Sequence, residues 1–190
     1  MIKSISNKKI ILGSNSPRRK ELLTSLNLPF EVRTKKINEN FPEDLSLELI
    51  ASFIATKKSN SYNLNPNELL ITSDTVVIHQ NQILGKPKDK QHAFEMLRTL
   101  SNETHKVQTG VCIRTSEKMH CFSESTLVTF SKISNKEIEH YVQNYNPLDK
   151  AGAYGIQDWI GKIAVKKIDG CYYNVVGLPI NKLYNELITF

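Results

Sequence analysis

The sequence predicts an α/β protein with a mixed, twisted sheet and flanking helices. Short apolar runs suited to strands alternate with segments whose apolar residues recur at helical spacing. Helical crossovers between some runs call for parallel neighbours, and tight polar turns between others call for antiparallel ones. The chain has 190 residues, 39% hydrophobic and 23% charged. That is ample for a substantial core, so residues 1–190 are expected to form one domain.

Ile10-Ile11-Leu12 reads as a buried strand, followed by a Gly-Ser-Asn-Ser loop. Ser16 suits an N-cap and Pro17 the first helical position, so a helix is expected over 17–26 with Leu22, Leu23 and Leu26 inward. A second helix is expected over about 44–59, on the stripe Leu47, Ile50, Ala51, Ile54. Leu69 to Thr72 and Thr75 to His79 read as strands interrupted by Asp74, and Ile83-Leu84 follows the polar turn Gln80-Asn81. Asp89 suits the N-cap of a helix carrying Ala93, Met96, Leu97 and Leu100. Strands are expected over 106–114 and 125–130. Ser134 and Glu137 then form a capping box ahead of Ile138, Tyr141, Val142 and Tyr145. A Gly-rich loop spans 149–157. Lys162–Ile168 and Tyr172–Val176 read as strands joined across Asp169-Gly170, and a last helix covers 180–187.

Composition narrows the classes. No apolar run reaches 18 residues, and Met1-Ile2-Lys3-Ser4 opens no signal-peptide block, so neither a membrane partner nor export is expected. Cys112, Cys121 and Cys171 are odd in number and form no C-x-x-C. A disulfide or zinc knuckle is therefore not expected, and a cytoplasmic location is. The five histidines form no metal pair, which leaves a hard cation on carboxylates and phosphate oxygens as the metal chemistry to expect. A net charge of +6 favours anionic partners in general. No nucleic-acid motif accompanies it.

Four places could carry chemistry. The first is the opening loop. Arg18 and Arg19 fall in the first turn of a helix, an end that carries roughly half a positive charge and prefers acids. The placement makes sense if an anion binds there: Ser14, Ser16 and two guanidinium forks could grip phosphate oxygens. Neither a Walker loop nor a Rossmann fingerprint is present. The second is Asp74, a carboxylate inside a run otherwise built for burial. The third is Lys86, between Gly85 and Pro87. The fourth is the small-residue loop ending in Gln157, whose amide could read a base edge. Lys58 sits at the end of an apolar helix face. Taken singly, each is open to a plainer reading: solvated arginines, a turn aspartate, an exposed turn lysine, an ordinary loop, a snorkelling lysine.

Together the stretches SNSPRRKELL, SDTVV, ILGKPKD, HKVQTGV, PLDKAGAYGIQ and GCYYNVVGLP resemble the Maf family of nucleoside triphosphate pyrophosphatases, in family order over nearly the whole chain. The resemblance implies a Maf/ITPase-like fold with two lobes around a central cleft, often as a homodimer. It implies hydrolysis of a nucleoside triphosphate to monophosphate and pyrophosphate with a divalent cation, Mg²⁺ or Mn²⁺. Asp74 matches the family's proton acceptor, and Ser14, Arg18, Arg19, Lys58 and Lys86 match its polar and basic site residues, with Ser16 beside them in the loop. Glu39 matches an acidic position that would join Asp74 at the metal. Arg18, Thr75 and Gln157 match positions that set base choice. Thr75 and Gln157 are those of the branch acting on dTTP and UTP, with modified pyrimidine nucleotides left open. The branch acting on 7-methylguanosine triphosphate carries a carboxylate in the later loop. Two alternatives stand beside this reading: a modified-purine substrate, and a non-catalytic basic protein that binds nucleic acid or a division partner.

Overall fold

Strand pairing organises the chain, as seen in a computed structural model that describes residues 2–190. The strands are β1 (Lys9–Leu12), β2 (Phe30–Val32), β3 (Glu68–His79), β4 (Gln82–Leu84), β5 (Thr104–Arg114), β6 (Met119–Phe130) and β7 (Val165–Asp169). They form one seven-stranded sheet in the order β2-β1-β3-β5-β6-β7, with β4 paired to β3. β1 is parallel to both β2 and β3, while β3–β4 and β6–β7 are antiparallel, so the sheet is mixed as expected. The helices are α1 (Pro17–Thr24), α2 (Leu47–Asn60), α3 (Lys90–Leu100), α4 (Asn135–Asn144), α5 (Trp159–Ala164), α6 (Tyr172–Val176) and α7 (Ile180–Thr189). None of the described helices is long and apolar enough to cross a membrane.

The chain divides into two compact units, and the division falls within β3, between Asp74 and Thr75. The first unit runs to Asp74 and adds Thr109–Glu124 and Gly177–Phe190; the second holds Thr75–Gln108 and Ser125–Val176. The first has its own core, in which Ile10, Leu12, Leu23, Ile71, Ile113 and Leu183 are buried together. The second buries Leu97, Leu100, Phe130, Ile138, Tyr141 and Ile160.

Local chemistry explains the helix starts. Ser16 Oγ accepts from the Arg19 amide, Asp89 Oδ1 from that of His92, and Ser134 with Glu137 completes the capping box. In α2, Ile50, Ala51, Ile54 and Ala55 form the buried stripe. Two contacts hold that helix to the sheet. Thr72 Oγ1 donates to Ala55 O at 2.8 Å, and Gly110 lies so close that a Cβ there would stand 2.4 Å from the Ala51 carbonyl.

The fold departs from the expectations at five points. β2 has no counterpart among the expected strands, because Phe30-Glu31-Val32 is too short to carry a pattern. β3 runs through Asp74 without a break, Asp74 and Thr75 being its part-exposed positions within a buried strand. Lys162 to Ala164 belongs to α5, and only Val165 onward is strand. Tyr172–Val176 is helix, not strand. Its inward residue is Asn174, whose Nδ2 donates to Val107 O and Thr126 Oγ1, while Thr126 Oγ1 also accepts from the Cys171 amide. Those bonds favour a turn of helix over a ladder. Lastly, Cys112 and Cys121 are disulfide-bonded, against the expectation. Counting cysteines cannot see register: these two stand on β5 and β6 with Cα atoms 4.2 Å apart. The cysteines therefore carry no inference about compartment.

Acid should weaken the fold. His105 is 1% exposed, its Nε2 is 2.7 Å from the Tyr154 hydroxyl, and its ring packs edge-on to Phe130 and Tyr154. Burial, then the neighbouring His79, lowers its pKa from 6.5 to about 3. Below pH 6.5 the unfolded chain takes up a proton that folded His105 refuses, so stability falls as pH falls, by about 1.4 kcal/mol per unit at most, until about pH 3. Glu68, gripped by the Arg33 guanidinium and the Asn65 amide, has its pKa lowered to about 2 and adds a loss of the same sign below about pH 4.5. Urea midpoints measured from pH 7 to pH 4 should decline, and His105→Gln should flatten the segment between pH 6.5 and 5. An equal slope in the variant would refute the assignment.

Candidate active site

In the first unit, seven of the expected residues come together. The chain leaves β1 and reaches α1 through a loop in which Ser14 Oγ accepts from the Ser16 amide at 3.2 Å. Arg19 turns back from the helix. Its Nε donates to Gly177 O at 2.9 Å, and its Nη1 to Ser73 O at 2.9 Å and, at the long limit of 3.5 Å, to Ser14 Oγ. One guanidinium thus ties together the start of α1, the strand residue before Asp74 and the turn before α7. Burial lowers the Arg19 pKa, Asp74 opposes that, Arg18 reinforces it and Glu39 opposes it, so these charges share one electrostatic neighbourhood. Arg18, also part-buried, is the adjacent residue of the same turn.

Lys58 occupies the centre. It follows Ile54 by four residues on the buried face of α2, its side chain is only 15% exposed, and its ammonium is engaged by carboxylates, so it does not snorkel. Nζ lies 2.6 Å from Asp74 Oδ1 and 2.8 Å from Glu39 Oε1. Two carboxylates from distant segments are therefore drawn onto a single cation. Glu39 lies in an irregular loop that Lys57 Nζ pins through Asn40 O at 2.9 Å.

In the second unit, Thr75, Lys86 and Gln157 lie on three segments that meet. Thr75 follows Asp74 directly on β3. The Gly152 amide donates to Gly85 O at 3.1 Å, joining the segment of Lys86 to the loop of Gln157. Gly152 also packs on Val77 of β3, where a Cβ would stand 3.0 Å from a valine methyl. Lys86 is exposed and Gln157 part-buried. The Gln157 side-chain oxygen is buried with no hydrogen-bond partner among the described residues. An amide oxygen left so costs about 1–3 kcal/mol until a donor reaches it.

Sequence reasoning missed the carbonyls of Ser73 and Gly177. Backbone acceptors carry no residue signature. The only trace is Gly177 itself, whose φ of +126° is open to glycine and strained for other residues.

The first unit thus sets a hydroxyl-bearing helix start beside a lysine-bridged carboxylate pair, within a mixed α/β fold. The chain belongs to the Maf family: the model described as "Maf-like protein" matches residues 9–190. A Bacteroides fragilis relative named dTTP/UTP pyrophosphatase is 49% identical over 190 residues, covering 98% of each chain. A Flavobacterium psychrophilum relative of the same name is 50% identical over 188 residues, covering 98% of this chain and 96% of its own. Among solved structures, the Staphylococcus aureus Ham1 protein aligns over 94% of this chain and 100% of its own, at 13% identity and a TM-score of 0.47.

Proposed function

We propose that this protein is a nucleoside triphosphate pyrophosphatase that hydrolyses dTTP and UTP to the monophosphate and pyrophosphate. The observation that carries the reading is Asp74. It is a carboxylate in the middle of a buried strand, held by Lys58 and flanked through Ser73 by the Arg19 loop. The names and near-full-length identity of the relatives support the same reading.

In this reaction a water oxygen attacks the α-phosphorus. The new P–O bond forms as the bond from α-phosphorus to the bridging oxygen breaks, and pyrophosphate carries that electron pair away. Asp74 takes the proton of the attacking water. Ser14, Ser16, Arg18, Arg19 and Lys58 supply hydroxyls, amides and positive charge for the phosphate oxygens, so their contribution is positioning and electrostatic. With Asp74, the second carboxylate, Glu39, gives the site a pair of hard oxygen donors, both turned to the Lys58 ammonium. That set suits Mg²⁺ or Mn²⁺, which commonly bind through one or two carboxylates together with substrate phosphates. Asp74 and Glu39 would hold the ion, and it would neutralise charge on the phosphate oxygens.

Base choice falls to Thr75 and Gln157. The unpartnered Gln157 oxygen suits the N3–H donor of uracil or thymine. A cationic 7-methylguanine would gain more from a carboxylate. The one beside Gln157, on Asp158, is already engaged by the Tyr141 hydroxyl at 2.8 Å.

A pyrophosphate-release assay over dTTP, UTP, CTP, GTP and 7-methylguanosine triphosphate with added Mg²⁺ tests the proposal. Highest kcat/KM on dTTP and UTP is expected. A preference for the methylated purine would overturn the base assignment, and no release from any of them would overturn the activity.

A further inference from the structure

Tyr141 enters the sequence as one apolar position of a helical stripe, yet its hydroxyl does more than fill the core. The residue is fully buried in α4. Its OH donates to Asp158 Oδ2 at 2.8 Å and accepts from the Gly155 amide at 3.1 Å. Those two partners are the ends of one tight turn, closed by the Asp158 amide on Gly155 O at 3.0 Å. Gln157 lies inside that turn.

The turn has no slack. A Cβ on Gly155 would stand 2.6 Å from Asp158 Oδ2 and 3.0 Å from Gln157 Nε2. On the far side, a Cβ on Gly161 would stand 1.9 Å from Ile156 O. Lys150 Nζ stands 3.8 Å from Asp158 Oδ2, the oxygen to which the phenol donates. Burial first, then the bond to Asp158, raises the Tyr141 pKa, so the phenol remains a donor wherever the enzyme works.

We infer that Tyr141 is a positioning residue for base recognition: its hydroxyl clamps the Gly155–Asp158 turn and so fixes where the Gln157 amide stands. The inference rests on the pyrimidine reading of Gln157 given above. Its physical basis is asymmetry. Removing the hydroxyl leaves a buried amide N–H and a carboxylate oxygen without their partner, and the turn relaxes to find water. A shift of about 1 Å in a positioning group can cost up to about a hundredfold in kcat/KM. Sites built on a hydrogen bond to the substrate discriminate through it.

Tyr141→Phe is the test, with steady-state kinetics on dTTP, UTP and GTP. KM for the pyrimidines should rise about tenfold with kcat within about threefold of wild type, and the preference for dTTP over GTP should narrow by a similar factor. Asp158→Ala should reproduce that pattern. Asp158→Asn, which keeps an acceptor for the phenol, should stay near wild type. If Tyr141→Phe or Asp158→Ala lowers thermal stability but leaves KM and the preference unchanged, the side chain is only structural and the inference fails. Hydrogen exchange of the Gly155 amide reads the clamp without any substrate. Loss of its protection in Tyr141→Phe is expected even if the wild type releases no pyrophosphate, an outcome that would sink the activity and not the clamp. Unchanged protection would overturn the clamp itself.

Discussion

Asp74→Asn should lower kcat by about 10²–10⁴-fold while nucleotide binding persists. The substitution keeps an oxygen for the Lys58 ammonium, which also retains Glu39, so the surrounding geometry has little reason to move. The serine and arginine groups around the helix start remain. What disappears is the basic oxygen that takes the proton of the attacking water. Single-turnover pyrophosphate release, together with calorimetric titration of a non-hydrolysable dTTP analogue, separates the two properties. Turnover near wild type would exclude Asp74 as proton acceptor. Loss of binding along with turnover would leave Asp74 a binding or structural residue and remove the case for it as proton acceptor.

Gly110→Ala should be among the most damaging single changes available outside the site. The added methyl would meet the Ala51 carbonyl carbon and oxygen and the Ser52 amide, each at 2.4 Å. These are helix backbone atoms, so no rotamer change relieves the clash and α2 must move off the sheet. A cost of at least about 3 kcal/mol is expected, seen as a fall in melting temperature of about 6–12 °C. The displacement would also carry Lys58, seven residues after Ala51 and on the same helical face, away from Asp74. Activity should therefore drop by more than the unfolded fraction explains. A melting temperature within 2 °C of wild type would contradict the packing of α2.

Much of this site was readable before any coordinates. Ser16-Pro17 marks a helix start without ambiguity, and two arginines in that turn are anomalous enough to require an explanation. Asp74 stands out because nothing apolar excuses it. Lys58 was legible only in part: spacing put it on the buried face of α2, but spacing cannot distinguish an ammonium that reaches water from one that draws in two carboxylates. Glu39 had no local signal, since its position depends on a loop held by Lys57 through a backbone carbonyl. Tyr141 was legible as core and illegible as an anchor, because its partners lie 14 and 17 residues further along the chain. The failure at Tyr172–Val176 has the same root. β-branched and aromatic residues suggest a strand, but a single buried amide with three-dimensional partners decides otherwise.

The peptide hydrogen bond from Gly152 to Gly85 has a practical consequence. It couples residues 84–86 and 149–158: a backbone shift in either stretch is passed to the other through a contact that involves no side chain. Anyone wishing to convert this chain to a different nucleobase should transplant both stretches at once, and swapping the later one alone should yield a poor catalyst for every base.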